Sequence, residues 1–267
     1  MKLSYLEGYT LKKAKGEKSV KIIRVTKENL EEEHICCAIS SNKDCQVVAK
    51  KRWMSRQLEE GLIFEKADVR GKAFIEYIPA EKAWCPVDAP GYMFINCLWV
   101  SGQFKGKGIA NELLSSCIEN SKSEGKEGIV IISSAKKRPF LADPTFFKYK
   151  GFTVADEANP YFTLMYLPFS ETTLKPKFKT CAKQGMIEEK GVVIYYSAQC
   201  PFTAKYVPLA EQVVTSKGIA FKAIEYKSAN EAQVATVPAT SYSLFYNGRF
   251  ITNEILSEKR LEKLLEE

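Results

Sequence analysis

The sequence predicts an α/β (α+β) chain built from two successive units, on three observations. Apolar runs at strand spacing alternate with amphipathic stretches at helical spacing. One buried strand runs straight into a Gly-rich turn that opens a helix, across residues 98–110. Between about 168 and 190 the alternation dissolves into Thr, Lys and Pro, and a fresh α/β pattern then begins.

The first unit opens with Val-Lys-Ile-Ile-Arg-Val at 20–25, a strand, and Thr26 caps an amphipathic helix running through Ile35. A second helix is expected over 52–60, stopped by Gly61. Strands follow at 62–66 and 72–78, with Gly71 between them as a hairpin element. A loop holding Cys85, Pro86 and Pro90 leads into 92–100, so nearly unbroken in apolar residues that it reads as a central strand buried on both faces. After the turn, Ile109, Leu113, Leu114, Cys117 and Ile118 supply the stripe of a helix over 109–121. A buried strand at 128–132, a short helix at 144–149 closed by Gly151 and a last strand at 161–167 complete this unit.

In the second unit, 192–196 is a strand, Cys200-Pro201 opens a helix to 216, and 220–226 is a strand. A short helix at 229–235 precedes a hairpin of 241–246 and 250–252 across Asn247-Gly248, a strong turn pair. An amphipathic helix at 257–267 closes the chain. The expected division is therefore residues 1–170, a connection at 171–189, and a smaller unit at 190–267.

Composition narrows the class. At 267 residues and 45% hydrophobic, the chain can bury a sizeable core. No stretch approaches the roughly 20 apolar residues of a membrane span, and 1–18 has no signal-peptide h-region. A cytoplasmic protein with no membrane partner is expected. The net charge of +7 fits a solvated Lys-rich surface or a basic mouth for an anionic ligand. No basic block is interleaved with aromatics, so no nucleic-acid partner is expected. The eight cysteines include no CxxC pair and do not form a disulfide framework. Cys36 and Cys37 stand near His34, the one histidine, but 35–39 reads as the buried stretch of a helix, and free Cys commonly behaves as a small hydrophobe. No metal site is expected.

The turn carries the chemistry. In Leu98-Trp99-Val100-Ser101-Gly102-Gln103-Phe104-Lys105-Gly106-Lys107-Gly108-Ile109-Ala110, a strand end meets glycines at 106 and 108 and then a helix start. Unpaired N–H groups at a helix start, together with the helix dipole, attract an anion. The glycines allow close approach of a pyrophosphate, and Lys105 and Lys107 add positive charge. The GK[ST] ending of a Walker A loop is missing, as are the third glycine and acidic-ended strand of a dinucleotide fingerprint.

Gln103, Gly106 and Gly108, after the Leu-x-Val strand end, resemble motif A (Q/R-x-x-G-x-G/A) of the GNAT acetyltransferases. Phe146-Phe147-Lys148-Tyr149-Lys150-Gly151-Phe152 before a last strand is similar to the end of that domain, and the likeness spans roughly 20–170. The resemblance implies a mixed central sheet, acetyl-CoA (CoA) as co-substrate and a small-molecule or peptidyl amine as acceptor. It also implies that Leu98, Trp99 and Val100 offer backbone to the pantetheine, while Gln103 to Ala110 hold the pyrophosphate. The family often places a tyrosine proton donor where this chain has Phe147. Tyr149, two residues on, points to another side of the helix, so the general acid and base are left open.

Order and motif in the second unit are similar to thioredoxins and glutaredoxins. Tyr195-Tyr196-Ser197-Ala198-Gln199-Cys200-Pro201-Phe202-Thr203 resembles their active-site segment, and Val237-Pro238 their cis-proline turn. A cysteine at a helix start gains thiolate character, making Cys200 the expected most reactive thiol. Thr203 replaces the second cysteine, so thiol exchange needs a partner such as glutathione or another thiol. The other reading is a redox-silent adaptor. The combination of the two units resembles the YoaP-like group of acetyltransferases over nearly the whole chain. The competing function is a thiol-redox or thiol-ligand binding protein acting through Cys200, with a vestigial GNAT domain.

Overall fold

Residues 20–35, 41–69 and 71–266 are described by the computed structural model of the chain. Its elements are β1 (Ile22–Val25), α1 (Cys45–Glu59), β2 (Ile63–Ala67), β3 (Ala73–Pro79), β4 (Val87–Asp88), β5 (Tyr92–Val100), α2 (Ile109–Ser123), β6 (Gly128–Ser134), α3 (Pro144–Tyr149), β7 (Thr153–Ala158) and β8 (Phe162–Pro168). They continue with β9 (Lys177–Phe178), β10 (Val192–Tyr196), α4 (Thr203–Ser216), β11 (Phe221–Glu225), α5 (Ala229–Ala232), β12 (Tyr242–Tyr246), β13 (Arg249–Thr252) and α6 (Glu258–Glu266).

A seven-stranded sheet has the order β1-β2-β3-β5-β6-β8-β7. It is mixed: β5 and β6 are parallel and the other neighbours antiparallel. A four-stranded sheet has the order β11-β10-β12-β13, with β10 and β11 parallel, and β4 pairs with β9. The long apolar run of β5 is central because it has a partner on each side and a helical layer on each face.

On one face, Ile109, Leu113, Leu114 and Cys117 of α2 pack on Ile75, Tyr77, Met93 and Ile95, with Phe147 and Phe152 at the end. On the other, Val47, Trp53 and Met54 of α1 pack on Phe64, Phe74, Ile78 and Phe94. Tyr226, Ala232, Ala235 and Ala239 from beyond β10 join this second cluster, so one apolar core continues from the large sheet into the smaller unit.

Four stretches differ from the sequence expectation. The helix expected from Thr26 to Ile35 is a series of turns. Asn29 takes the Thr26 N–H on its Oδ1 (2.8 Å) and donates to the Arg24 carbonyl (3.1 Å), a side-chain competition that replaces the helix ladder. The next helix begins at Cys45, not 52, because the Asp44 carboxylate accepts the Gln46 N–H at 2.9 Å. β7 carries Asp and Glu on an edge, which hid it from an apolar count. α4 starts at Thr203, since residues 200–202 form a turn in which Thr203 N–H donates to the Cys200 carbonyl (3.3 Å).

Residues 171–189 run against the large sheet. Phe178 and Ala182 are buried, and Tyr92 Oη donates to the Leu174 carbonyl at 2.7 Å. Asp156 on β7 accepts the Phe178 N–H (2.9 Å) and the Lys183 ammonium (2.7 Å).

Candidate functional site

The two parallel strands at the sheet's centre part company. β5 and β6 pair only from Tyr92↔Gly128 to Ile95↔Ile131. Beyond that, β5 stays paired with β3 as far as Val100↔Ala73, and β6 with β8 as far as Ser134↔Phe162. The facing edges of 96–100 and 132–134 thus diverge into a wedge at the carboxyl ends of the parallel strands, the usual place for a ligand in such sheets. The cause is local. Cys97 faces Glu76 and Ile95 faces Tyr77, which leaves Asn96 as an extra residue on β5. Such a bulge bends its strand and re-aims its side chains.

From the wedge the chain enters the turn. Residues Gly102–Phe104 make one 3-10 turn, and α2 starts at Ile109. Gly106 has φ 74° and Gly108, the N-cap of α2, has φ 75°, a left-handed backbone that favours glycine. Gly108 brings no side-chain cap. As a result, no group among the described residues accepts the N–H groups of residues 106–110. A Cβ on Gly106 would meet nothing within 4 Å, so its outward side is open to whatever approaches the turn. Lys105 and Lys107 are exposed beside it, as is Gln103.

The remaining residues singled out in this stretch do structural work. The Phe104 ring lies over Gly71, where an added Cβ would come within 2.4 Å of it, and so pins the turn to the large sheet. Ile109 is buried under α2, while Ala110 is half-buried. Leu98 and Val100 pack toward α2, and Trp99, on the alternate face, is exposed.

For proton transfer, α3 offers little. Phe147 is 2% exposed, edge-on to Phe146 (5.2 Å) and Phe152 (5.0 Å), and Tyr149 is 80% exposed on the outer side. Burial raises the Cys117 thiol and the Tyr77 hydroxyl far from a neutral-pH role.

The opposite face of the wedge holds a polar cluster that sequence reasoning missed. Lys50 on α1 is ion-paired with Glu76 on β3 at 2.5 Å, and the two side chains are 4% and 1% exposed. Asn96 Nδ2 donates to the other Glu76 oxygen at 2.9 Å. Lys50 also donates to the Gln199 carbonyl (2.7 Å) and sits 4.3 Å from the Trp53 ring centre. The signal was a lysine on the inward stripe Val47, Lys50, Trp53, Met54. Starting the helix at 52 excluded it.

Cys200 is half-buried in the turn before α4. That turn spans the wedge. Gln199 is tied to Lys50, and the Phe202 ring meets Phe140, from the loop after β6, at 6.5 Å. Cys45, credited with no helix start in the sequence, is the exposed first residue of α1. The Val237–Pro238 bond is trans. Among the described residues the cis peptide is Asn159–Pro160. The Pro238 carbonyl accepts the Cys85 thiol (3.6 Å), and Thr240 Oγ1 donates to the Trp84 carbonyl. His34 lines a shallow depression with Asn42, Lys66 and Asp68, while Cys36 and Cys37 lie outside the described residues. Among the described residues no group of His, Cys, Asp and Glu is placed to hold a metal, and no helix is long and apolar enough to cross a membrane.

Comparison with known proteins adds relatives to this geometry. A family model described as the acetyltransferase (GNAT) family matches residues 27–139, and one described as YoaP-like matches 220–263. The "Uncharacterized N-acetyltransferase YoaP" of Bacillus subtilis (strain 168) is 46% identical over 244 residues, 91% of this chain and 97% of that protein. The PaiA N-acetyltransferase of Thermoplasma acidophilum, solved with coenzyme A, is similar at 18% identity and TM-score 0.40, over 57% of this chain and 100% of its own. The ribosomal-protein-S18-alanine N-acetyltransferase of Escherichia coli is similar at 14% identity and TM-score 0.41, over 58% of this chain and 96% of its own.

Proposed function

This chain belongs to the GNAT acetyltransferase family, in its YoaP-like group, and on that premise we propose that it transfers an acetyl group from acetyl-CoA to an amine through the β5–β6 wedge. The observation that carries the reading is the row of N–H groups at 106–110, which have no acceptor among the described residues and flank an open Gly106. A diphosphate suits the place, because unpaired donors gather at the start of a 15-residue helix with two exposed lysines alongside. The freed edge of 96–100 suits an extended, amide-bearing arm, which it can pair with as it would with a strand.

Bound acetyl-CoA supplies an acetyl thioester, already activated toward nitrogen. The chain's part is to bind and orient it. Residues 106–110 fix the phosphates, and the 96–100 edge fixes the arm, so that the carbonyl sits near the bulge, where an amine attacks in a unimolecular setting. Phe147 packs at the α2 side of the core and has no proton to give. The outward Tyr149 gives no support to a donor role either; as the C–N bond forms and the C–S bond breaks, the proton released by the amine would pass through solvent to the thiolate.

The acceptor is a small-molecule or peptidyl amine. We read residues 1–170 as the acetyltransferase unit and 190–267 as a thioredoxin-like unit. The order β11-β10-β12-β13 and the Cys200-Pro201 turn before α4 support the second part. Its use in thiol exchange with glutathione has less support. Thr203 stands where a second cysteine would be, and Cys85 and Trp84 dock on the 236–240 loop. Incubation with acetyl-CoA and a panel of primary amines, read by mass spectrometry, tests the function. Acetylated amine formed with free CoA is expected, and acetyl-CoA left intact with every amine refutes the reading.

A further inference from the structure

The bulge that opens the wedge also carries an unpartnered polar atom. Asn96 is the extra residue of β5, at the point where β6 departs. Its Nδ2 is committed to Glu76 Oε1 on β3 (2.9 Å), and Glu76 is in turn held by Lys50 (2.5 Å). The Asn96 Oδ1 is buried and has no partner among the described residues. A buried acceptor without a donor calls for an explanation, and this one stands at the bulge where β6 leaves β5.

Two donors of a bound pair of substrates come near the bulge: an amide N–H of the pantetheine arm and an N–H of the attacking amine. The faces of the sheet separate them. The phosphate turn leads into α2, which packs on the face of Ile75, Tyr77, Met93 and Ile95. Glu76, Lys50 and Asn96 meet on the opposite face, under α1 and the Gln199–Phe202 turn. A nucleophile approaching a thioester that lies in the wedge has to come from this second face, since the first is filled by α2 and Phe147. The charges agree with an amine as guest. Glu76 is balanced by Lys50, so the amine meets a neutral carbonyl. A free carboxylate there would hold it as unreactive ammonium.

We propose that Asn96 Oδ1 accepts an N–H of the acceptor amine and orients its lone pair toward the thioester carbonyl, with Glu76 and Lys50 fixing the amide and the Gln199–Phe202 turn walling the acceptor end. The inference rests on the acetyl-transfer reading above. In the test, acetyl-CoA binding is measured by calorimetry and transfer by CoA release with n-butylamine, 1,3-diaminopropane and lysine methyl ester. With the best of these amines, Asn96→Ala raises KM about tenfold, the loss of one hydrogen bond, while the acetyl-CoA Kd stays within about twofold. An unchanged amine KM overturns the assignment, and if the Kd weakens instead, Asn96 serves the pantetheine. If Asn96→Ala does not fold, Asn96→Asp is made together with Glu76→Gln, so that the new carboxylate meets an amide donor instead of the Glu76 carboxylate 2.9 Å away. This double variant moves the rising limb of the kcat–pH profile to higher pH, and an unmoved limb overturns the proposal. A wild-type protein that acetylates none of the three amines defeats the transferase reading itself, and this inference with it.

Discussion

Lys50→Met removes one half of the most deeply buried ion pair described in the protein. Both side chains are almost fully enclosed, and the lysine joins α1, β3 and the turn before α4 through Glu76 and the Gln199 carbonyl. Methionine fills the space but leaves Glu76 as a buried carboxylate facing only Asn96. Breaking such a pair on one side costs about 3–5 kcal/mol. For a chain of this size each kcal/mol corresponds to roughly 2–4 °C, so the melting temperature should fall by about 10 °C. Urea unfolding followed by tryptophan fluorescence suits the measurement, because the Trp53 ring lies 4.3 Å from the ammonium. Adding Glu76→Gln to Lys50→Met removes the stranded charge and keeps an acceptor for Asn96. The double variant should regain more than half of the loss. The reasoning is refuted if Lys50→Met costs less than about 1 kcal/mol, or if the two losses simply add.

Asp156 ties 171–189 to β7. Burial alone would raise its carboxyl, but donors from Lys183 and the Glu157 and Phe178 N–H groups bring it below the usual value. A depressed carboxyl stabilises the fold above its unfolded value of about 4 and loses that contribution as pH falls through the folded value. Asp156→Asn should therefore cost about 1–3 kcal/mol at pH 7 and much less at pH 3; urea titrations giving equal penalties at both would contradict this. Among the described cysteines, the exposed Cys45 should react first with iodoacetamide, ahead of half-buried Cys200. Cys85 and Cys117, whose thiols burial pushes up, should react last. Peptide mass spectrometry ranks them, and Cys200 labelling before Cys45 would restore the helix-start argument made from sequence.

The parts of the fold written in local pattern were legible. The unbroken apolar run at 92–100 became β5 with those bounds, the stripe from Ile109 became α2, and Asn247-Gly248 turned β12 into β13. What the sequence hid was set by single side chains or by distant partners. Asn29 unmade a helix and Asp44 started one, each through one or two hydrogen bonds that compete with the ladder. β9 is a strand only because β4 lies beside it. The site divides the same way. The glycine turn announces itself, since left-handed backbone before a helix leaves few residue choices. The Lys50–Glu76–Asn96 cluster joins residues on three elements, and a buried lysine has no pattern of its own. The wedge was equally silent, because a bulge depends on register with the neighbouring strand.

The central claim, that the turn at 103–110 holds the phosphates of CoA, is tested most directly by calorimetry with CoA on the wild type and on Gly106→Val. Valine places a branched side chain on the open outward side of the turn, where its Cβ would meet no atom within 4 Å apart from its chain neighbours. The left-handed φ costs about 1–2 kcal/mol, too little to unfold the chain. The account predicts that the wild type binds CoA, and that Gly106→Val keeps its unfolding transition while its Kd for CoA rises at least tenfold. Wild-type affinity in the folded variant would contradict it.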